Sequence, residues 1–244
     1  MRSFLIALTF LTRLPLPITQ NVSDLEFKQS QKFYPLVGLT IGLLLWLSGY
    51  LSYLVFPALV KGGVILAIEI LLTGGIHLDG FMDSMDGLLS AREPQRMLEI
   101  MKDSRVGAHA SISLVTLLIL KFSLFASLSL PGLKILTILP MISRWTFLFG
   151  IIAFPYARQH GLGKGFHESS RWFTFIWQGI VVVALSIVLA GYAGLAAAIA
   201  ALTFTVLFAF KVAGLLGGLT GDLYGALIEI AEVISLLAAL PFLP

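Results

Sequence analysis

Apolar stretches about twenty residues long recur along almost the whole chain, and they decide what it can fold into. Seven of them are predicted to cross a membrane, at 33–59, 64–76, 108–130, 135–154, 172–190, 193–213 and 226–242. A spanning helix needs roughly 20 mainly apolar residues. Of the 244 residues, 58% are hydrophobic and 12% charged, and a soluble globule cannot hide so much apolar surface. The sequence predicts an all-α, polytopic integral membrane helix bundle and excludes a soluble enzyme.

About seven transmembrane helices are expected. A count of six to eight is possible, because the run 64–76 is short and the segment 4–11 is interpreted as an interfacial helix. Lys61-Gly62-Gly63 is the expected turn after the first span. The sequence has no internal repeat and no linker, so residues 1–244 are predicted to form a single integral membrane domain. There is no cysteine, which excludes disulfides, thiolate metal sites and cysteine nucleophiles.

The basic residues indicate the orientation. With the N-terminus in the cytoplasm, only Lys61 and Lys134 fall outside, whereas twelve fall inside: Arg2, Arg13, Lys28, Lys32, Arg92, Arg96, Lys102, Arg105, Arg158, Lys164, Arg171 and Lys211. This bias follows the positive-inside rule. It places the segments 76–107, 155–171 and 214–225 on the cytoplasmic side. The net charge of +3 requires no nucleic-acid partner.

Asp79, Asp83 and Asp86 stand at i, i+4 and i+7, so on a helix they share one stripe. Three aligned carboxylates repel one another, and a nearby membrane adds a desolvation cost. A divalent cation with a preference for hard oxygen ligands, Mg²⁺ or Mn²⁺, resolves the conflict. The alternative is a solvated acidic helix start. His77 lies on another side of that helix and is a candidate metal ligand, general base or capping residue.

Further candidates for an anion site lie downstream. Lys102, Ser104 and Arg105 precede the third span, where cations, a hydroxyl and free N–H groups would suit a phosphate. The positive-inside rule alone would also explain the two cations. The loop containing Arg158 is basic and glycine-rich, and it could contact an anionic substrate or simply be a cytoplasmic loop.

Asp222, just before the last span, and Glu229 and Glu232 within it lie on roughly one face. An unpaired carboxylate inside a membrane is expensive, so Glu229 and Glu232 are expected to be functional, to pair with Arg144, or to be protonated.

Several separate blocks resemble one family. They are 12–17 (TRLPLP), 34–38 (YPLVG), 75–80 with Asp83 and Asp86, 101–107 (MKDSRVG), Ser143-Arg144, 156–158 (YAR), and 219–222 (LTGD) with Glu229. In this order, they make the chain similar to the bacterial cobalamin synthases, the adenosylcobinamide-GDP ribazoletransferases.

The resemblance implies an enzyme that uses Mg²⁺ at the inner membrane to join adenosylcobinamide-GDP to α-ribazole or its 5′-phosphate, with release of GMP. It implies that Asp79, Asp83 and Asp86 hold the metal and that Lys102, Ser104, Arg105, Arg158, Asp222 and Glu229 bind substrate. His77 or an aspartate, with Asp103 among the candidates, would accept the proton of the attacking hydroxyl. An oligomer in the bilayer is possible.

Two other classes remain open on the residues alone. The aspartates resemble by analogy those of the CDP-alcohol phosphotransferases, although the spacing differs. Acids inside the spans, such as Glu69, Glu229 and Glu232, could instead form the ion or proton path of a transporter.

Overall fold

A computed structural model describes residues 2–15, 22–158 and 171–244. Within this part, the regular structure is helical and the β pairing is one isolated bridge between Tyr156 and Leu219. The helices are α1 Arg2–Leu11, α2 Asp24–Ser30, α3 Tyr34–Val55, α4 Ala58–Thr73, α5 Ile76–Leu89, α6 Pro94–Ile100, α7 Ala108–Ser127, α8 Leu139–Ala153, α9 Trp172–Leu216 and α10 Gly221–Ala239. The all-α prediction is confirmed, and α1 is the short helix expected at the N-terminus.

The apolar helices account for about the number of spans predicted. Five segments are long and apolar enough to cross a bilayer: Asp24–Val55, Ala108–Ser127, Gly132–Ala153, Trp172–Leu216 and Gly221–Phe242. Helices α4 and α5 are long and apolar enough to cross a bilayer only when they are counted together. The 45 residues of α9 include non-helical backbone at Gly191 (φ 58°, ψ −134°). A continuous helix of that length would measure roughly 67 Å against a core of about 30 Å, so the break at Gly191 divides α9 into two spans.

A sharp bend separates α4 from α5. Gly74 and Gly75 both have left-handed backbone, with φ of 64° and 71°, which costs a residue without Cβ little. The two helix axes meet at 91°. When α4 stands along the membrane normal, α5 therefore lies roughly perpendicular to it, across the end of the bundle where α7 and α10 begin.

The first turn differs from the prediction. The helix α3 ends at Val55, and α4 begins directly after Pro57, so Lys61 is not in a turn. Proline fixes its own φ and restricts the residue before it, which ends a helix. Lys61 is buried in α4, and its Nζ donates to the Leu128 carbonyl oxygen. The expectation of a turn at Lys61-Gly62-Gly63 was wrong because it ignored Pro57.

The interior and the outer surface of the bundle differ in the side chains they present. Helix α8 is buried along almost its whole length, and a Cβ on Gly38 or Gly42 of α3 would overlap the backbone at Pro140 or Thr137. Small residues four apart allow such close helix contacts. By contrast, Phe173, Val188 and Tyr192 of α9 are 78%, 79% and 80% exposed. Apolar exposure on this scale is expected of a surface that faces lipid.

Candidate active site at one end of the bundle

The aspartate stripe lies on α5, across the end of the bundle. Asp79 is exposed, Asp83 and Asp86 are half-buried, and His77 is buried. The helix begins at Ile76, so His77 lies in its first turn. The predicted helical stripe is therefore present, with His77 on the buried side.

Two glycines set α5 against α10 and bring a fourth carboxylate to the stripe. A Cβ on Gly80 would lie 3.0 Å from the Asp222 Cα, and a Cβ on Gly225 would lie 2.9 Å from the His77 carbonyl oxygen. Larger residues at either position would force the helices apart. We call Asp79, Asp83, Asp86 and Asp222 the face carboxylates.

A backbone pairing holds Arg158 beside the face carboxylates. The Ala157 N–H donates to the Leu219 carbonyl at 2.8 Å, and the Leu219 N–H donates to the Pro155 carbonyl at 3.0 Å. This bridge joins the loop after α8 to the turn before α10. Arg158 consequently lies 2.5 Å from the Asp222 carboxylate and also donates to the Met101 carbonyl at 3.3 Å. The three segments that the sequence assigned to one face do meet, apart from residues 159–170, which lie outside the described chain.

Neighbouring carboxylates repel one another at Asp83. Burial and the carboxylates of Asp222 and Asp79 together raise the pKa of Asp83 to about 7, although Arg158 acts in the opposite direction. Within the described chain, Asp79, Asp83 and Asp86 form no ion pair. Among the described residues, the face therefore carries more negative charge than Arg158 can neutralise.

Asp86 also has a structural role. Its Oδ2 accepts from the Gly107 N–H at 2.6 Å, and its Oδ1 accepts from the Ala110 N–H at 2.8 Å. Gly107 is the N-cap of α7 and has no side chain, so Asp86 satisfies backbone donors that would otherwise lack a partner. The sequence had suggested that free N–H groups at this helix start would bind a phosphate. These two N–H groups are already bonded to Asp86, so they are not free for that role. The metal role of Asp86 stays a prediction.

The segment before α7 places its polar groups at the surface. Asp103 accepts from Arg105 through two nitrogens, with Nη2 at 2.7 Å from Oδ2. These bonds hold the pKa of Asp103 at about 2, and so weak a base is a poor proton acceptor. Lys102, Ser104 and Arg105 are exposed and remain candidates for binding an anion.

A second group of charges lies deep in the bundle. The Lys121 Nζ lies 3.0 Å from Glu69, 2.6 Å from Glu229 and 2.8 Å from Glu232. Arg144 lies 2.7 Å from the other oxygen of Glu232, which also accepts from the Ser143 hydroxyl at 3.0 Å. These charged side chains come from α4, α7, α8 and α10. We call them the buried ion cluster: Glu69, Lys121, Arg144, Glu229 and Glu232.

The sequence offered pairing with Arg144 as one of three alternatives for the acids of the last span, and the structure shows this pairing for Glu232. Sequence reasoning missed Lys121, although a lone lysine within a predicted span is a signal that acids must be near it. The ion pair with Lys121 explains how the Glu229 carboxylate can be buried inside the protein. Substrate binding by Glu229 stays a prediction.

Between the two groups lies His77, at the edge of a cavity of about 240 Å³. Burial lowers the pKa of His77 to about 3, assisted by the positive charge of Arg144. The imidazole is therefore neutral at pH 7. Its Nε2 is buried without a hydrogen-bond partner in the described structure.

The face carboxylates suit a Mg²⁺ ion shared with a substrate. Within the described residues, no three His, Asp or Glu side chains converge as a complete metal cage. Mg²⁺ rarely uses such a cage, since it usually takes one or two carboxylates together with substrate phosphates and water. Asp79 and Asp83 offer such oxygens, and the excess negative charge around Asp83 favours a cation.

The comparisons with known proteins all indicate one family. Residues 3–240 match the family described as cobalamin-5-phosphate synthase. The chain is 54% identical to the adenosylcobinamide-GDP ribazoletransferase of Desulfitobacterium hafniense (strain Y51), over 100% of this chain and 98% of the relative. It is 38% identical to the proteins of the same name from Roseiflexus sp. (strain RS-1), over 94% and 86%, and from Brevibacillus brevis, over 97% and 97%. No solved structure matches the chain.

Proposed function

Because the chain belongs to the cobalamin-5-phosphate synthase family, we propose that it joins adenosylcobinamide-GDP to α-ribazole or its 5′-phosphate and releases GMP. The observation that carries the proposal is the 54% identity over the full chain to a ribazoletransferase. The group of carboxylates at one end of the helix bundle supports it, because phosphoryl transfer depends on positioning and on neutralising charge.

We place the reaction at the cytoplasmic face of the bacterial inner membrane. The twelve-to-two bias of basic residues supports this orientation. On that side lie α5, the bridge between Tyr156 and Leu219, and the N-terminus of α10, which together form the candidate site.

Mg²⁺ is the cofactor of this proposal, with Asp79 and Asp83 as its protein ligands. When bound, the ion would neutralise negative charge on the diphosphate and on the departing phosphate oxygen. Asp86 would keep α7 in place beside the site, whether or not it also contacts the ion.

The chain's own side chains would orient the two substrates. A ribose hydroxyl oxygen forms a bond to the corrinoid-proximal phosphorus as the bond from that phosphorus to GMP breaks. Lys102 and Arg105 would contact the phosphate oxygens, and Arg158 would hold Asp222 in place. The hydroxyl proton would pass to a carboxylate of the stripe, since the low pKa values of His77 and Asp103 make them poor acceptors.

The test uses purified full-length protein in lipid nanodiscs with adenosylcobinamide-GDP, α-ribazole and Mg²⁺. We expect equal amounts of GMP and corrinoid product, and we expect neither when α-ribazole is omitted or the metal is chelated. Absence of GMP with all three present, from protein that unfolds cooperatively, would overturn the proposed function.

A further inference from the structure

A cavity of about 240 Å³ opens beside the face carboxylates. It lies between α1, α3, α5, α8 and α10. Two of the face carboxylates, Asp79 and Asp222, belong to its lining, so its polar end coincides with the candidate active site. Most of the remaining lining is apolar or aromatic.

Four aromatic rings along this cavity form a continuous series. The ring centroids of Phe10 and Tyr34 are 6.2 Å apart, those of Tyr34 and Phe147 are 5.8 Å apart, and those of Phe147 and Tyr224 are 6.1 Å apart. All four residues line the cavity. The first two pairs are stacked, with planes inclined by 25° and 14°. Such a wall favours a flat aromatic ligand, because offset ring contacts add stability beyond the area buried.

Two polar groups in the lining have no hydrogen-bond partner within the described structure. They are the Nε2 of His77 and the hydroxyl of Tyr34, both of which are buried. A buried polar atom of this kind is costly unless something satisfies it. A ligand in the cavity with a ring nitrogen would supply a partner for the His77 Nε2 after a small rotation of the imidazole.

From this arrangement we infer that the cavity binds the heteroaromatic base of the nucleoside substrate. The inference rests on the proposed function and names the subsite for its nucleophile. With the base against this wall of rings, the ribose would lie at the mouth of the cavity, next to Asp79 and Asp222, where its hydroxyl is needed.

Size and polarity favour this occupant over the other parts of the substrates. An apolar cavity of about 150 Å³ is enough for benzene, so 240 Å³ has room for two fused rings but none for a corrinoid. Guanine has the right size, but it carries several edge donors and acceptors that would each need a partner. The two carboxylates of the lining, Asp79 and Asp222, are needed for the metal and the ribose in this proposal, whereas a benzimidazole-type base needs one partner, for its single free ring nitrogen.

Paired substitutions on α8 test the inference. Phe147 lines the cavity, whereas Phe149, two residues later, packs against Phe154 and Trp172 instead. We expect Phe147→Leu to raise the KM for α-ribazole roughly tenfold, in keeping with the loss of one ring contact. We expect the KM for adenosylcobinamide-GDP and kcat to change less than twofold, and Phe149→Leu to leave both KM values unchanged.

Equilibrium dialysis with labelled α-ribazole separates this inference from the proposed function, because it needs no turnover. We expect α-ribazole to bind the wild type and Phe149→Leu alike, and Phe147→Leu about tenfold more weakly, with no competition by GMP. Should Phe147→Leu fail to fold, Phe10→Leu replaces it, since Phe10 is only half-buried.

Equal weakening of both substrates, unchanged α-ribazole binding, or displacement of α-ribazole by GMP would overturn the assignment of the cavity while leaving the reaction itself intact. Absence of α-ribazole binding to the wild type would overturn it as well. Absence of GMP formation, with dialysis as expected, would count against the proposed function alone.

Discussion

The face carboxylates and the buried ion cluster both contain several acids, but only in the cluster does every acid contact a cation. In the buried ion cluster, Lys121 lies within 3.0 Å of all three glutamates, and Arg144 lies 2.7 Å from Glu232. At the face, the close cation within the described chain is Arg158, which is bound to Asp222. The difference indicates different tasks: the cluster joins α4, α7, α8 and α10 to one another, and the face is left ready for a cation and an anionic substrate.

The largest effect should follow from breaking the buried ion cluster. Lys121→Met would leave three glutamates facing one arginine without their shared partner. Loss of one member of a buried ion pair costs roughly 3–5 kcal/mol, so we expect little folded protein, or a large fall in Tm. Thermal unfolding in detergent measures this.

Lys134→Met is the matched control, because Lys134 is exposed. We expect its Tm to equal that of the wild type. A Lys121→Met protein as stable as this control would show that the cluster does not hold the helices together.

Overpacking the contact between α5 and α10 should have the next largest effect. Gly225→Ala would place a methyl group against the His77 backbone, and overpacking of this kind costs about 1–3 kcal/mol. The displaced α5 would carry the aspartates with it, so we expect GMP release to fall at least tenfold.

Gly214→Ala provides the comparison, since a Cβ there meets nothing within 4 Å. We expect it to leave activity unchanged and to stabilise its helix by about 0.5–1 kcal/mol. Equal activity of the two variants would mean that the spacing of α5 and α10 is not critical.

Removal of Arg158, the cation that contacts Asp222, should have a moderate effect. Arg158→Gln leaves Asp222 without its partner and increases the repulsion around Asp83. We expect the KM for adenosylcobinamide-GDP to rise about tenfold and the Mg²⁺ requirement to persist. In a double-mutant cycle with Asp222→Asn, we expect the two effects to be less than additive; full additivity would argue against the pair.

The smallest effect on stability is expected at the exposed pair of Arg105 and Asp103. Surface ion pairs contribute little because water screens them, so Arg105→Ala should not change Tm. If Arg105 binds phosphate as proposed, the KM for adenosylcobinamide-GDP should still rise severalfold. An unchanged KM would remove Arg105 from the site.

The sequence was sufficient for the helices and for the meeting of three distant segments on one face, because hydropathy and the charge bias follow directly from the cost of placing residues in lipid. It could also place Asp79, Asp83 and Asp86 on one stripe, since helical spacing is regular. The predicted boundary between 172–190 and 193–213 agrees with the break at Gly191. The count of spans stayed approximate because the short run 64–76 leads into the bend at Gly74 and Gly75, which depends on backbone conformation.

Contacts between distant segments could not be predicted in the same way. Nothing in the spacing reveals that Asp86 caps α7 or that Lys121 gathers three glutamates, because both depend on how helices pack. The rings of Phe10, Tyr34, Phe147 and Tyr224 come from four different helices, and each resembles an ordinary core residue when read alone. Only the packed bundle shows that they line a single cavity.

The face carboxylates serve the proposed reaction at a cost in stability. The pKa of Asp83 is about 7 in the folded protein and starts from 3.8. Between roughly pH 4 and 7, the folded state therefore holds more protons than the unfolded state, and stability falls as the pH rises. Asp83→Asn removes this effect and also removes a proposed ligand of Mg²⁺.

The most direct measurement compares Tm and GMP release at pH 8 for Asp83→Asn and Arg144→Lys, on the same preparations. We predict that Asp83→Asn keeps or exceeds the wild-type Tm while losing at least a thousandfold in GMP release. Arg144→Lys should lower Tm, because lysine cannot reproduce the contacts of the guanidinium, and keep GMP release per folded molecule within a few-fold. Near-normal GMP release by Asp83→Asn, or a Tm well below that of the wild type, would contradict the claim.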